Sequence, residues 1–301
     1  MANDLTLVAD VGGTNTRFAL ADQGGLIAGS TARYPNADVD GFIDIAHTYL
    51  ATLTSPKPTR LCVAIAGPVA GGKGKLTNGD WVFDTSSLSE ELGIAQSFLL
   101  NDLAALGHAL DILPATMVTQ IGGAKPNGSQ TLVAGIATGF NVSLCHDGHV
   151  SEAELGHASM PTSVMKVLRG AIGDKAEAFR TVETLLSGSG LSALHIALGH
   201  PEESPATITG QDGETVDLFA NALGTFCREL TYQYMPFAGL YLNGSVARAV
   251  VGSPNAAKII ATQAAKDETF AGRFGAVPLY LITEDNAALF GCARYAQTQR
   301  V

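Results

Sequence analysis

The chain has little of what several functional classes require. Of its 301 residues only 18 are Lys or Arg, against 28 Asp or Glu, a formal charge of −10 at pH 7. The basic residues form no cluster, so the electrostatic footprint of a nucleic-acid binder is missing. Four cysteines, Cys62, Cys145, Cys227 and Cys292, stand more than sixty residues apart. That is neither zinc-ligand spacing nor a dense disulfide framework, and reduced, buried thiols in the cytosol are the expectation. No run of about 18 apolar residues escapes polar interruption, which argues against a membrane span. The first ten residues carry two carboxylates and no basic flank, unlike a secretory signal. An anionic ligand would have to be met by local backbone amides and a metal, because the overall field repels it.

What is present is a long apolar pattern, 46% hydrophobic residues over a length that suits two domains. Apolar runs at Leu5–Val11 and Thr16–Ala21, with a third after Gly24-Gly25, read as strands. Asp40–Leu53 has helical spacing, Leu61–Ala66 reads as a buried parallel strand, and Ser97–Leu100 as another before a helix from Leu103 to Leu113. Helices are expected over Val164–Ile172, Lys175–Leu186, Leu191–Leu198 and Val216–Tyr234, with strands at Gly239–Leu242 and Val277–Ile282 and a last helix from Asn286. The opening run Leu7 to Thr14 can be laid on Leu132 to Gly139 at a constant offset of 125. Strand, turn, strand, turn, strand at both places reads as a duplicated α/β core or as a coincidence between two apolar strands that end in glycine.

Three polar constellations could carry chemistry. In Asp10-Val11-Gly12-Gly13-Thr14-Asn15 a strand ends in a carboxylate followed by two glycines, a turn able to bring backbone N–H groups to phosphate. Asp10 could hold a hydrated magnesium ion, although an ordinary hairpin turn has the same composition. Asn101-Asp102 follows a strand and precedes a helix, where a carboxylate could accept a hydroxyl proton or simply cap the helix. Glu154-Leu155-Gly156-His157 could hold sugar hydroxyls. Glu183, ahead of Ser187-Gly188-Ser189-Gly190, reads equally well as a solvated helix charge.

Together these segments resemble the bacterial glucokinase family. Asp10 to Arg17 resembles the family's first phosphate motif, D-x-G-G-T-N-x-R. Ala64-Ile65-Ala66-Gly67-Pro68, then Thr77-Asn78 and Trp81, resembles its A-I-A-x-P and T-N-x-x-W segments. Leu100 to Ala105 resembles I-N-D-F-x-A, Glu154 to His157 resembles G-E-x-G-H, and Leu185 to Leu191 resembles L-S-G-x-G-L. The zinc motif of the related repressor and sugar-kinase group does not follow His157.

The resemblance implies a two-lobed, actin-like ATPase fold of the ribonuclease H-like kind with a central cleft. Its small lobe would comprise residues 1–106 with the C-terminal helix 287–301, and its large lobe 107–286. It implies transfer of the γ-phosphoryl group of MgATP to the 6-hydroxyl of glucose in the cytoplasm. Asp102 would be the base, with Asn101, Glu154, His157 and Glu183 on the sugar. Gly12, Gly13, Thr14, Asn15, Thr138, Gly139 and Gly244 would lie along ATP, with Asp10 near Mg2+ through water, and a homodimer is possible. The family's second phosphate motif, G-x-G-T-G-L-G, reads here as Gly135-Ile136-Ala137-Thr138-Gly139-Phe140-Asn141. Asn141 in place of glycine is expected to take a positive φ. The adenosine motif A-G-G reads Asn243-Gly244-Ser245, and Ala153 precedes Glu154 where glycine is usual. A kinase for another hexose or an amino sugar, or a sugar-binding regulator that has lost phosphoryl transfer, are the alternatives.

Overall fold

The computed structural model describes residues 5–299, apart from 38, 55, 212, 267–271 and 273. The chain opens with β1 (Thr6–Val11), β2 (Asn15–Asp22), β3 (Gly25–Leu26), β4 (Ala32–Pro35) and α1 (Phe42–Ala51). After β5 (Arg60–Ile65) come the short strands β6 (Val69–Ala70), β7 (Lys73–Lys75) and β8 (Val82–Asp84), then α2 (Thr85–Leu92), β9 (Gln96–Asn101) and α3 (Asp102–Ala109). β10 (Val118–Gly122), β11 (Gln130–Ile136), β12 (Phe140–His146) and β13 (His149–Glu152) lead to α4 (Thr162–Ile172). Four helices follow: α5 (Val182–Leu185), α6 (Gly188–Ala197), α7 (Pro205–Gly210) and α8 (Glu214–Tyr234). The chain closes with β14 (Gly239–Asn243), α9 (Ser245–Val251), α10 (Ala256–Ala264), β15 (Leu279–Ile282) and α11 (Ala287–Thr298).

These elements form two units. The first takes the residues up to Leu113 and those from Asp285 onward, and the second is Pro114–Glu284. The division falls after Leu113 rather than at residue 106 because α3 stays whole on the first unit, packed along α11. The approach is close enough that a Cβ on Gly291 would overlap the carbonyl oxygen of Ala105.

The sheet of the first unit runs β3-β2-β1-β5-β9, with β4 also on β2. β1 pairs antiparallel with β2 and parallel with β5, and β5 pairs parallel with β9. Every residue of β1 and β5 is buried. Central strands covered on both faces need such continuous apolar runs, which is why these two were legible in the sequence. Phe18 stacks on Tyr49 and packs against Phe42, which meets Phe83, at the centre of this core.

The sheet of the second unit runs β10-β15-β14-β11-β12-β13. β11, β12 and β13 are an antiparallel meander, β11, β14 and β15 are parallel, and β10 is an antiparallel edge. Apart from β10 here and β4 there, this is the order and sense of the first sheet with β11 in the place of β1. The repeat at an offset of 125 is therefore a structural duplication, the paired ribonuclease H-like core of the actin-like ATPase fold. The core of the second unit joins Leu132, Ala134 and Ile136 of β11 to Phe219, Leu223 and Phe226 of α8.

One expected helix is broken. Lys175–Leu186 forms a 3-10 segment over Gly173–Ala178 and then the separate α5. Thr181 bridges to Ser159 and forms a capping box with Thr184, which starts a new helix instead of extending the old one. No helix among the described residues is long and apolar enough to cross a membrane.

Candidate active site

The polar residues of the first unit collect where its parallel strands end. Val11, Ile65 and Asn101 are in register across β1, β5 and β9. The Gly12–Thr14 turn, the turn at Gly67 and the Asn101-Asp102 pair therefore share the carboxyl edge of one sheet, about 10 Å across. Ligands bind at such edges in open α/β sheets. Asn101 Nδ2 donates to the Gly67 carbonyl at 3.1 Å, tying two of the three segments together.

The turn between β1 and β2 closes with Gly12 N–H donating to the Asn15 carbonyl at 3.0 Å. Neither Gly12 nor Gly13 has positive φ. A Cβ on either would come no nearer than 3.5 Å to any neighbour, Asn15 or Asn78, which is ordinary contact. Neither strain nor crowding within the unit calls for these glycines. They leave the turn's amides open to close approach, which suits a phosphate group.

Asp10 lies beneath this turn and is 8% exposed. Its Oδ2 is 3.3 Å from Arg17 Nη1, and Arg17 Nη2 is 3.1 Å from Asp285 Oδ2. Burial pushes the Asp10 carboxyl up to about 6; the neighbouring Arg17 only partly offsets this, and Asp285 adds to it. A buried carboxylate on one strand end is a hard-oxygen donor that fits a magnesium ion retaining its water. Among the described residues no three His, Cys, Asp or Glu side chains could hold a metal together. The remaining ligands would then come from water and phosphate, as is usual for this ion.

The sequence left the cap of α3 open between Asn101 and Asp102, and the structure gives it to Asn101. Asn101 is the N-cap of α3, its Oδ1 accepting from Leu103 N–H at 2.9 Å and Ala104 N–H at 3.2 Å. Asp102 is the first helical residue, half-buried, with Oδ1 accepting from Leu103 N–H at 2.9 Å. The helix does not depend on Asp102 for its cap.

In the second unit the candidates again meet at a strand end. Ala137 N–H donates to the Gly139 carbonyl at 3.0 Å, closing the hairpin between β11 and β12, with Thr138 exposed at its tip. Glu183 Oε2 accepts from Phe140 N–H at 3.0 Å. A Cβ on Gly139 would overlap that carboxylate, and one on Gly156 would overlap the Phe140 carbonyl. Both glycines thus let Glu183 and the Glu154–His157 turn crowd onto the hairpin. Glu183 is no free surface charge. Ser187, fully buried, caps α6 through Gly190 N–H and donates to the Glu183 carbonyl at 2.7 Å. Glu154 precedes a 3-10 turn over Leu155–His157, and both Glu154 and His157 are exposed.

Gly244 follows β14, whose Asn243 pairs with Gly135. Its φ is 108°, and a Cβ there would overlap the Ile136 carbonyl, so the backbone itself demands glycine. Asn243 Oδ1 accepts from Arg248 at 3.4 Å.

One expectation is overturned. Asn141 does not have positive φ; it is an ordinary residue of β12 opposite Gly135. Its side chain instead accepts from Val142 N–H at 2.9 Å and Leu155 N–H at 3.0 Å.

Motif reading missed three residues. Asn36 donates from Nδ2 to the Gly12 carbonyl at 2.8 Å and from its backbone N–H to the Thr14 carbonyl at 2.9 Å. The hydroxyl of fully buried Thr16 donates to Asn36 Oδ1 at 2.9 Å. Arg33 Nε donates to Asn15 Oδ1 at 3.1 Å, and Asp285 anchors Arg17. Asn36 and Arg33 lie on or just past β4, a short edge strand with no motif around it. Asp285 lies 268 residues from Arg17 and reaches it only through the packing of α11.

Comparison with known proteins gives the same picture. A family model described as Glucokinase matches residues 7–299. A glucokinase of Chromobacterium violaceum is 30% identical over 321 residues, covering 96% of this chain and 88% of that protein. One of Saccharophagus degradans is 31% identical over 273 residues, covering 80% and 82%. The crystal structure of a glucokinase from an Antarctic psychrotroph superposes with a TM-score of 0.78 at 25% identity, covering 98% of this chain and 99% of that one.

Proposed function

The chain belongs to the glucokinase family, and on that premise we infer that it transfers the γ-phosphoryl group of ATP to the 6-hydroxyl of glucose, the first step of glycolysis. The observation that carries the role of the base is the division of labour at the start of α3. Asn101 caps the helix, and Asp102, the first helical residue beside it at the carboxyl edge of the sheet, is the carboxylate to which we assign the role of base. It accepts the 6-hydroxyl proton while that oxygen bonds to the γ-phosphorus and the bond from the γ-phosphorus to the β–γ bridging oxygen breaks.

The other roles belong to the same proposal. Amides of the Gly12–Asn15 turn, with those of Thr138 and Gly139, cradle the phosphates, and Gly244 lies by the nucleoside. Asn101, Glu154, His157 and Glu183 hold sugar hydroxyls, the Glu183 carboxylate being held in place by Phe140 N–H. Asp10 would hold Mg2+ through water. When bound, such an ion would neutralise phosphate charge, which matters in a chain of net charge −10. Catalysis is then chiefly positioning and electrostatics. A cytoplasmic setting suits four cysteines that form no disulfide, and a homodimer would sediment at twice the mass of one chain.

A coupled assay for ADP release over glucose, mannose, fructose and glucosamine tests the reading. Glucose should give the highest kcat/KM. Glu183→Ala should lower kcat/KM for glucose by roughly 10–100-fold, because hydrogen bonds to charged groups are strong. No ADP release with any sugar would sink the reading.

A further inference from the structure

The side chain of Asn141 joins the second phosphate hairpin to the turn that carries Glu154 and His157. β12 pairs with β13 as far as Ser143 opposite Glu152. Continuing that register would set Asn141 opposite Glu154, but there the chain leaves the strand for its 3-10 turn and the backbones separate. The amide of Asn141 fills the gap. Its Oδ1 accepts from Leu155 N–H at 3.0 Å, making one more rung of the ladder after the backbone ladder has ended.

That rung acts on a single peptide plane. A trans peptide is rigid, so its N–H and C=O point in opposite directions and move together. The N–H of the 154–155 peptide is held by Asn141, while its carbonyl, that of Glu154, accepts from His157 N–H at 3.3 Å. Fixing this plane sets the direction in which Glu154 leaves the backbone and the turn on which His157 stands. Asn141 is itself anchored by the pairing of β12 with β11, opposite Gly135 and two residues beyond Gly139 of the hairpin.

We propose that Asn141 is a positioning residue for sugar recognition, which sets Glu154 and His157 through its bond to Leu155 N–H. The proposal rests on the reading of Glu154 and His157 as sugar ligands. It reverses what the motif alone implies, since a change to the family's glycine would there be harmless. A glycine keeps the strand but removes the acceptor.

Three variants test it: Asn141→Gly, Asn141→Asp, which keeps an acceptor, and Glu154→Ala as the control for the site. Asn141→Gly should raise KM for glucose by about tenfold, the scale of one hydrogen bond left unmade. KM for ATP should stay within about twofold, and Asn141→Asp should recover most of the loss. Amide exchange at Leu155 should be slow in the wild type and in Asn141→Asp, and fast in Asn141→Gly. A loss of stability alone would move neither the glucose-against-ATP split nor the rescue. If Glu154→Ala weakens glucose use while Asn141→Gly leaves it and the Leu155 exchange unchanged, the positioning role is wrong. If Glu154→Ala is itself without effect on glucose, the reading of the sugar site fails, and the proposal with it.

Discussion

The side-chain amide of Asn36 donates to the carbonyl oxygen of Gly12 at 2.8 Å, from 24 residues away in the chain. With the bond from Asn36 N–H to the Thr14 carbonyl, it pins two peptide planes of the turn between β1 and β2. Each held carbonyl turns the N–H of its own peptide, that of Gly13 or Asn15, the opposite way. The amides proposed to face phosphate are thus oriented from behind.

Asn36→Asp keeps the acceptor for Thr16 and removes the donor to Gly12. Its kcat/KM for ATP should fall by about tenfold, with KM for glucose little changed. Steady-state kinetics with each substrate varied in turn checks this, and equal loss for both substrates would contradict it.

Loss of stability should concentrate at Asn101 and loss of turnover at Asp102. Asn101→Ala removes the cap of α3 and should cost about 0.5–2 kcal/mol in urea unfolding. Asp102→Asn leaves that cap in place and should unfold within about 0.5 kcal/mol of wild type, while kcat falls by roughly 10²–10⁴-fold. An Asp102→Asn enzyme with more than about a tenth of wild-type kcat would exclude Asp102 as the base.

Asp10 makes stability depend on pH in an unusual direction. Its carboxyl titrates near 6 in the folded chain against 3.8 ordinarily, because burial disfavours the charge. Between those values the folded state binds more protons than the unfolded one, so stability falls as pH rises from about 4 to 6 and then levels. The span corresponds to roughly 2–3 kcal/mol at most. Asp10→Asn should flatten that part of the profile. Urea titrations of both proteins from pH 4 to 7 measure it, and parallel profiles would refute the assignment.

Gly291→Ala should be among the most damaging single-methyl additions in the chain. The new Cβ would overlap the Ala105 carbonyl across the α3–α11 contact, so the helices would have to part. A loss of roughly 3 kcal/mol or more is expected, against a small gain for the same change in an unhindered helix. Thermal unfolding decides it, and a Tm within about 2 °C of wild type would show that the helices yield without cost.

Sequence alone determined the duplicated sheet and the positions of the motifs. β1, β5 and β11 read as strands because burial on both faces leaves no room for polar alternation. The offset of 125 survives because the same meander has to bury the same apolar pattern twice. Asp10, Asn101-Asp102 and Gly139 were legible because each sits at a strand end, where apolar runs break into glycine and polar residues. What only the tertiary structure decided are the bonds made between segments far apart in the chain. Whether Asn101 or Asp102 caps α3 depends on side-chain direction. The places of Asn36 behind the first phosphate turn, Asp285 on Arg17 and Asn141 on Leu155 N–H depend on which backbones the sheets bring together. A hydrogen bond needs its partners within about 3 Å in a definite direction, and local composition carries no record of that when the partner is supplied by another strand.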